Sequence, residues 1–175
     1  MQPIKIIGGG MAGCEAAWQL VNRGIPVIIY EMRPKKDTFA HKTEDLAELV
    51  CSNSFRSNDH ENNAVGLLHW EMKEADSLII NTGNKHSVPA GGALAVDREQ
   101  FAREITGILV SHPLVTIVRD EIINVSDFRD DTVIIATGPL SSEGLIRELV
   151  KLTAQENLAF FDAIAPIIYA DSVDM

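Results

Sequence analysis

Residues 3–17 read PIKIIGGGMAGCEAA, and this stretch decides the fold of the chain. Its first residues form a short apolar strand, and its last residues begin a segment with the periodicity of a helix. Between them lie three glycines at G-x-G-x-x-G spacing: Gly8, Gly10 and Gly13. Gly8 permits the tight turn out of the strand, Gly10 lets the backbone approach a pyrophosphate, and Gly13 lets the helix pack closely on the strand. The stretch predicts a dinucleotide-binding unit whose diphosphate lies on the free N–H groups at the helix N-terminus.

The residues after the helix add the context that a lone glycine motif lacks. A second apolar strand is predicted at residues 26–30 (PVIIY), and it ends in Glu31. An acid about 20 residues beyond the glycines is where nucleotide-binding folds hold the ribose hydroxyls. Arg33 falls near the expected position of an adenosine ribose or a phosphate, with a solvated loop as the alternative. A purely structural tight turn is the alternative to the nucleotide site as a whole.

The composition limits the class of protein. With 175 residues the chain is long enough for one domain with a proper core, or for one domain and part of another. The net charge of −10 argues against a protein that general electrostatics hold on nucleic acid. No apolar run approaches the roughly 20 residues that a membrane helix needs, and the start lacks the basic region of a signal peptide. We therefore expect a cytoplasmic protein without a membrane partner.

A further apolar strand, with small residues at its end, is predicted in residues 132–138, TVIIATG. Ala136, Thr137 and Gly138 follow the strand at its carboxyl end, which is where ligands bind in an open α/β sheet. Small residues let the backbone run close to a bound cofactor. The alternative is a buried strand followed by an ordinary turn.

The two cysteines are too few for a disulfide framework and show no spacing typical of a metal site. Cys51 lies in residues 49–57, LVCSNSFRS, a stretch dense in polar side chains. It could act as a nucleophile if a cation or a helix N-terminus favours its thiolate. The residues alone favour the alternative, a small buried hydrophobe. Cys14 is expected to be structural, because it falls on the core-facing side of the first helix.

The remaining elements are predicted from periodicity and capping residues. Residues 38–48 are ambiguous and are compatible with a short helix capped by Thr43. The other predicted elements are a helix from Asn62 or Asn63 to Ile79, a turn-rich loop over the site at 81–92, a strand at 93–96, a helix at 98–110 capped by Asp97, two paired strands of a small antiparallel insert at 115–118 and 121–125, and a helix at 143–152 capped by Ser141 or Ser142.

Blocks along nearly the whole chain resemble the N-terminal part of the TrmFO family, also called Gid. The blocks are GGGMAGCEAAWQL, YEMRP, ELVCSNSFRS, NAVGLLHWEM, VPAGGALAVDR, SHPLVTIVRDE, VIIATGPL and FFDAIAPIIYADSVDM. The resemblance implies an α/β fold, a Rossmann-like FAD-binding domain of the glutathione-reductase type with a small antiparallel insert, truncated before the second domain. Residues 1–160 would form the FAD-binding domain, and residues 161–175 the start of a second domain whose remainder is missing.

The resemblance also implies a reaction, that of a folate- and FAD-dependent tRNA (uracil-5-)-methyltransferase. Such an enzyme moves a one-carbon unit from 5,10-methylenetetrahydrofolate via reduced FAD to C5 of the T-loop uridine, uracil-54, with NAD(P)H as reductant. The implied partner is tRNA rather than DNA. Cys51, in CSNS, matches one of the family's functional cysteines and is the implied catalytic residue. The implied cofactor-binding residues are Gly8, Gly9, Gly10, Met11, Ala12, Gly13, Glu31, Arg33, Ser52, Asn53, Ser54, Ala136, Thr137 and Gly138; no metal site is implied.

Two other functions remain open, and the first of them is suggested by the much greater length of family members. The first is a truncated FAD- or nucleotide-binding remnant without catalysis. The second, a generic NAD- or FAD-dependent oxidoreductase, is disfavoured because no acid/base pair stands out in the sequence.

Overall fold

The structure is a computed structural model that describes residues 1–153. In chain order its elements are β1 (Ile4–Ile7), α1 (Met11–Val21), β2 (Val27–Glu31), β3 (Ser54–Ser57), α2 (Ala64–Glu74), α3 (Leu78–Lys85), β4 (Ser87–Val88), β5 (Ala93–Val96), α4 (Arg98–Ser111), β6 (Val115–Arg119), β7 (Val133–Ile135) and α5 (Glu143–Thr153). Short 3-10 turns occupy Val125–Phe128 and Gly138–Leu140. The second-domain start predicted at residues 161–175, and the end of the predicted domain 1–160, lie outside the described residues.

The central layer is a four-stranded parallel sheet in the order β6-β2-β1-β7. Ile6 of β1 and Ile29 of β2 are fully buried within it. The strands are short apolar runs rather than alternating patterns, as expected for a parallel sheet. Because all four strands run the same way, the carboxyl ends of β1, β2 and β7 meet at one edge. That edge carries the glycine turn, Glu31 and residues 136–138.

Helices α1, α3 and α4 form the core together with the sheet. α1 contributes Cys14, Ala17 and Val21, α3 contributes Leu78 and Ile79, and α4 contributes Phe101 and other apolar side chains from successive turns. The side chain of Ala17 is fully buried, and its small size lets α1 lie close to the sheet. Burying a side chain as large as that of Phe101 contributes about 1.5–3 kcal/mol. This core fixes α1 against β1 and so fixes the glycine turn between them.

The small antiparallel sheet is present, but the predicted location of its strands is wrong. Its order is β3-β5-β4, so it comes from residues 54–96. Residues 115–118 fall instead in β6, which pairs in parallel with β2, and residues 121–125 contain no strand. The apolar run of β6 suits a strand of either direction. Whether it becomes a parallel or an antiparallel strand depends on its pairing with β2, which lies far away in the sequence.

The single helix predicted from Asn63 to Ile79 is two helices. Asn63 caps α2 as predicted, since its side chain accepts the N–H of Val65 at 3.0 Å. The helical conformation is then interrupted at Asp76, which has a left-handed φ of 57°, and Ser77 caps a new helix, α3. The apolar spacing continues across the break, so periodicity alone did not show it. The predicted loop at 81–92 is correspondingly shorter, because α3 runs to Lys85 and β4 follows.

The segment after β2 contains turns in place of the short helix considered at residues 38–48. Thr43 Oγ1 accepts the N–H of Asp45 at 3.2 Å and donates to Glu48 Oε2 at 2.8 Å. Such local side-chain bonds compete with helix formation. Residues 42–48 cross the edge of the sheet beside the glycine turn, and this segment is called the strap.

The predicted caps of the last two helices are confirmed. The Asp97 side chain accepts the N–H groups of Glu99 and Gln100 at the start of α4. Ser142 Oγ accepts the N–H of Leu145 at 3.4 Å in the first turn of α5. Within residues 1–153, no helix combines the length and the apolar character needed to cross a membrane.

Candidate functional site

Two glycines of the motif are required by the fold itself. Gly8 has a φ of 109°, and a Cβ there would lie 2.6 Å from the carbonyl oxygen of Ala136. A Cβ on Gly13 would lie 1.9 Å from the carbonyl oxygen of Gly8. Gly8 therefore permits the turn beside β7, and Gly13 permits α1 to pack on β1. Both roles agree with those predicted from the spacing.

Gly10 differs, because a Cβ there would meet no protein atom within 4 Å. Its φ of −74° is available to any residue, and it is the N-cap of α1. No side chain caps this helix, and its first turn carries no acid. The first intrahelical bond runs from Cys14 N to Gly10 O, so the N–H groups of Met11, Ala12 and Gly13 precede it. The turn offers backbone donors and the positive end of the helix dipole to an anion.

A cleft lies directly beside this turn, at the carboxyl edge of the sheet. Its cavity volume is about 80 Å³, and it opens to solvent. It brings together several residues that the sequence placed far apart: Gly8, Gly9, Gly10, Glu31, Arg33 and Thr137. The glycine turn forms one side of the cleft, and the residues after β2, β6 and β7 form the others.

Glu31 is the buried acid of the cleft, with 6% of its surface exposed. Oε2 accepts the N–H of Gly9 at 3.0 Å, and Oε1 accepts Arg33 N at 3.0 Å and Arg33 Nε at 2.9 Å. Burial raises the pKa of Glu31, but the hydrogen bonds from Arg33 and Gly9 and the charge of Arg33 lower the pKa more, so the group is held below its usual value. An ionised carboxylate has about four acceptor positions, so one remains for a ligand hydroxyl.

The Arg33 guanidinium is directed into the protein. The residue is 2% exposed. Besides Glu31, its nitrogens donate to Glu48 Oε2 at 3.0 Å and to the carbonyls of Thr43 and Asp45 at 3.1 Å each. Arg33 lines the cleft as expected, but most of its donors hold the strap. A direct bond from Arg33 to a ligand stays a prediction.

The end of β7 lies against the glycine turn, as the sequence predicted. Ala136 N donates to Ile7 O at 2.8 Å, and Gly138 has a φ of 63°. Thr137 Oγ1 lies 2.5 Å from Ser141 Oγ, so the two hydroxyls share a hydrogen bond beside the cleft. Ser141 was considered only as a helix cap, and its place in the cleft had no signal in the sequence.

His41 is a cleft residue that sequence reasoning missed. Its Nδ1 lies 2.6 Å from Thr38 Oγ1. Burial, followed by the charge of Arg33, lowers the pKa of His41 below its usual value, which favours the neutral ring. It lies in a segment of ambiguous pattern, and only the folded chain brings it to the end of β2.

The structure does not place Cys51 or the three polar residues after it, Ser52–Ser54, among the residues that line the cleft. Cys51 is exposed, so the alternative of a small buried hydrophobe is wrong. Asn53 Nδ2 donates to Val96 O at 3.1 Å, which ties this segment to β5. Ser52 Oγ and Ser54 Oγ accept nearby backbone N–H groups at 3.0 Å. Cofactor contacts of these residues stay predictions.

The chain nevertheless keeps Cys51 near the glycine turn. Ala47 N donates to Gly9 O at 2.8 Å, and Cys51 follows four residues later. Four extended residues span at most about 14 Å. The Cα atom of Cys51 therefore lies within about 14 Å of the Cα atom of Ala47, which is bonded to the turn.

Cys14 has the structural role expected for it. It is fully buried, and its Sγ donates to Gly9 O at 3.3 Å. Burial, followed by the charge of Glu31, raises the pKa of the Cys14 thiol to about 12. The thiol is therefore neutral at physiological pH, and its hydrogen bond to Gly9 O stabilises the glycine turn.

Comparison with solved structures supports the fold. Two crystal forms of Aquifex aeolicus GidA superpose on the chain with a TM-score of 0.54 at 13% sequence identity. The match covers 70% of this chain and 20% of that protein. At such low identity the likeness concerns the fold alone, and it agrees with an α/β, GidA-like fold.

Comparison with curated proteins gives much closer relatives. A protein from Maricaulis maris is 60% identical over 174 residues, and one from Hyphomonas neptunium is 58% identical over 175 residues. Both are named methylenetetrahydrofolate--tRNA-(uracil-5-)-methyltransferase TrmFO. The chain spans only 37–38% of the length of these relatives.

A family model agrees with this relationship. The model described as "Glucose inhibited division protein A" matches residues 3–175. The match therefore includes the glycine turn, the strap, the Cys51 segment and the end of β7. The chain belongs to the glucose inhibited division protein A family, and within it the chain is similar to part of the proteins named TrmFO.

Proposed function

We propose that the chain is the FAD-binding part of a folate- and FAD-dependent tRNA (uracil-5-)-methyltransferase. The observation that carries the proposal is the open, uncapped turn at Gly10 beside the buried carboxylate of Glu31. A dinucleotide needs both features, since its diphosphate binds backbone N–H groups and its ribose binds an acid. The names of relatives at 58–60% identity supply the reaction.

The residues of the cleft fit FAD. The N–H groups at the start of α1 would hold the diphosphate, and Gly10 leaves room for it. Glu31 would accept a ribose hydroxyl at its remaining acceptor position, and Thr137, which lines the cleft, would lie close to the cofactor. When bound, FAD supplies the redox chemistry that the protein's own side chains lack.

The finer features of the reaction are part of the proposal. The one-carbon donor would be 5,10-methylenetetrahydrofolate, the acceptor C5 of the T-loop uridine uracil-54 in tRNA, and the reductant NAD(P)H. We assign residues 1–160 to the FAD-binding domain, residues 161–175 to the start of the next domain, and the protein to the cytoplasm. These assignments rest on the resemblance and on the relatives' names.

Cys51 is the proposed nucleophile. Its exposure supports this role, because a thiol must be accessible to act on a tRNA base. A thiolate can add to a pyrimidine ring and leave again, which divides one difficult step into two easier ones. Cys14 is the matched comparison, because its buried thiol takes no part in such chemistry.

A nucleotide-binding unit without catalysis is the second candidate. It is favoured by one observation, that the chain spans 37–38% of the length of its relatives. It shares the FAD site with the first candidate and differs only in the absence of methyl transfer.

The experiment is a tRNA methylation assay with unmodified tRNA, methylenetetrahydrofolate carrying a labelled one-carbon unit, FAD and NADPH. We expect label at C5 of uridine with the wild type and with Cys14→Ser, which keeps a donor to Gly9 O, and its loss with Cys51→Ala while FAD remains bound. Equal turnover by Cys51→Ala would remove Cys51 from the mechanism. No transfer by the wild type, with FAD bound, would establish the second candidate for this polypeptide.

A further inference from the structure

Both oxygens of the Glu31 carboxylate contact a group that holds the strap. Oε1 accepts Arg33 Nε at 2.9 Å, and the same guanidinium donates to the carbonyls of Thr43 and Asp45. Oε2 accepts Gly9 N at 3.0 Å, and the carbonyl of Gly9 accepts Ala47 N at 2.8 Å. The strap is thus held by two residues, Arg33 and Gly9, and each of them is hydrogen-bonded to a different oxygen of the Glu31 carboxylate.

Glu48, the last residue of the strap, is hydrogen-bonded both to Arg33 and to the first two residues of the strap. Its Oε2 accepts Arg33 Nη1 at 3.0 Å and Thr43 Oγ1 at 2.8 Å, and its Oε1 accepts Lys42 N at 2.8 Å. Burial raises the pKa of Glu48, but the hydrogen bonds from Lys42 and Thr43 lower it more, so the carboxylate stays ionised beside the guanidinium. Glu48 precedes Cys51 by three residues.

The strap needs these bonds to keep its shape. Ala47 is a fully buried residue with a φ of 52°, in the left-handed region that alanine rarely adopts. Such a conformation persists only where the surroundings determine it. A third bond, from Leu46 N to Thr106 Oγ1 at 2.8 Å, does not involve Glu31 and keeps the strap packed on α4.

We propose that Arg33 and Glu48 are positioning residues that transmit occupancy of the Glu31 site to the strap, and thereby to the segment that carries Cys51. A ligand hydroxyl bound to Glu31 restricts the carboxylate, and with it Arg33 and Gly9. The strap then loses motion where Arg33 and Gly9 hold it, and the position of Cys51 relative to the cleft becomes defined. The inference rests on the proposed function, because it requires a nucleotide ribose at Glu31.

The test is amide hydrogen exchange with and without ADP, which carries the ribose and the diphosphate but no flavin. Residues 9–13 report binding, and residues 42–51 report the strap. In the wild type we expect ADP to slow exchange in both segments, by about fivefold or more in the strap, a common size for coupling between sites. In Glu48→Gln we expect the slowing at residues 9–13 to remain and the slowing at residues 42–51 to be lost.

Glu44→Gln is the matched control, because it removes the same charge from an exposed position on the same strap. It should respond to ADP as the wild type does. Thr43→Val, which removes the hydroxyl bond to Glu48 and the bond from Asp45 N but keeps the Glu48 carboxylate, should give a smaller loss in the same direction. A merely structural role of Glu48 would change exchange equally with and without ADP, so the ligand-dependent part distinguishes positioning from stability.

Two results would overturn the inference while leaving the nucleotide site intact. One is slowing at residues 9–13 of the wild type with none at residues 42–51. The other is an unchanged strap response in Glu48→Gln. If ADP slows exchange in neither segment of the wild type, the proposed nucleotide site fails and the inference fails with it.

Discussion

At the scale of single residues, the glycines of one motif have separable roles. A Cβ on Gly13 would lie 1.9 Å from the carbonyl oxygen of Gly8, whereas Gly10 faces open space. A backbone clash cannot be relieved by moving a side chain, so it must disturb the helix or the strand. The open space at Gly10 matters only when a ligand fills it.

This difference gives a paired prediction. Gly13→Ala should lower the free energy of unfolding by about 2 kcal/mol or more, because α1 must move away from β1. Gly10→Ala should stay within about 1 kcal/mol of the wild type, the size of a helix N-cap effect. It should weaken FAD binding at least about tenfold, or about 1.4 kcal/mol. Urea unfolding and flavin titration of both variants measure the two effects. Wild-type FAD affinity in Gly10→Ala would argue against a diphosphate at this turn.

Glu31 gives a pH-dependent prediction. Its pKa in the folded chain is below the ordinary 4.5, so its stabilising effect is present at neutral pH and is lost as the pH falls below about 4.5 toward the folded pKa. Glu31→Gln leaves Arg33 without one of its two carboxylates and should cost about 3 kcal/mol at pH 7.

The free energy of unfolding lost by Glu31→Gln should be smaller in acid, because protonation of Glu31 then weakens the same interaction in the wild type. Urea unfolding of wild type and variant at pH 7 and at about pH 4 measures it. Glu44→Gln, which removes one carboxylate from an exposed position of the strap, is unfolded in parallel as the control. A Glu31→Gln cost that is the same at both pH values would show that the ionised carboxylate is not what stabilises the cleft.

At the scale of elements, α1 stabilises the start of α3 as well as the glycine turn. Glu15 on α1 accepts Ser77 Oγ at 2.8 Å and Ile79 N at 3.0 Å, so it caps the start of α3 from another helix. α3 contains Asn, Thr and Gly, which are poor helix formers, and so depends on such tertiary contacts.

Glu15→Ala should therefore lower the free energy of unfolding by about 1–2 kcal/mol, as loss of a helix cap does. Glu71→Ala, at an exposed position of α2, is the control and should change it by less than about 0.5 kcal/mol. Urea unfolding of the two variants makes the comparison. If the two variants were equally stable, the cap from Glu15 would contribute nothing measurable.

The sequence predicted those elements that local chemistry specifies. The glycine spacing defined β1 and α1, Asp97 marked the start of α4, and Ser142 that of α5. Elements that depend on distant partners were missed. Residues 115–118 needed β2 to become a parallel strand, and the break at Asp76 needed Ser77 and Glu15 to begin a new helix. No local pattern contains that information.

At the scale of the whole molecule, the site is a consequence of the strand order. The order β6-β2-β1-β7 brings the carboxyl ends of three strands to one edge, so residues near 8, 31 and 137 share one cleft. The sequence predicted this gathering from the motifs at the ends of the strands. It did not predict that Arg33 would be directed into the strap, because that depends on Glu48 and on two backbone carbonyls from a segment without a clear pattern.

The central claim is that this edge of the sheet forms a working FAD site. The most direct measurement is the visible absorption spectrum of the purified chain after incubation with FAD and removal of the excess, with Gly10→Ala treated in parallel. We expect flavin bands that stay with the wild-type protein and are much weaker in the variant. A wild-type protein that comes through this procedure colourless would contradict it.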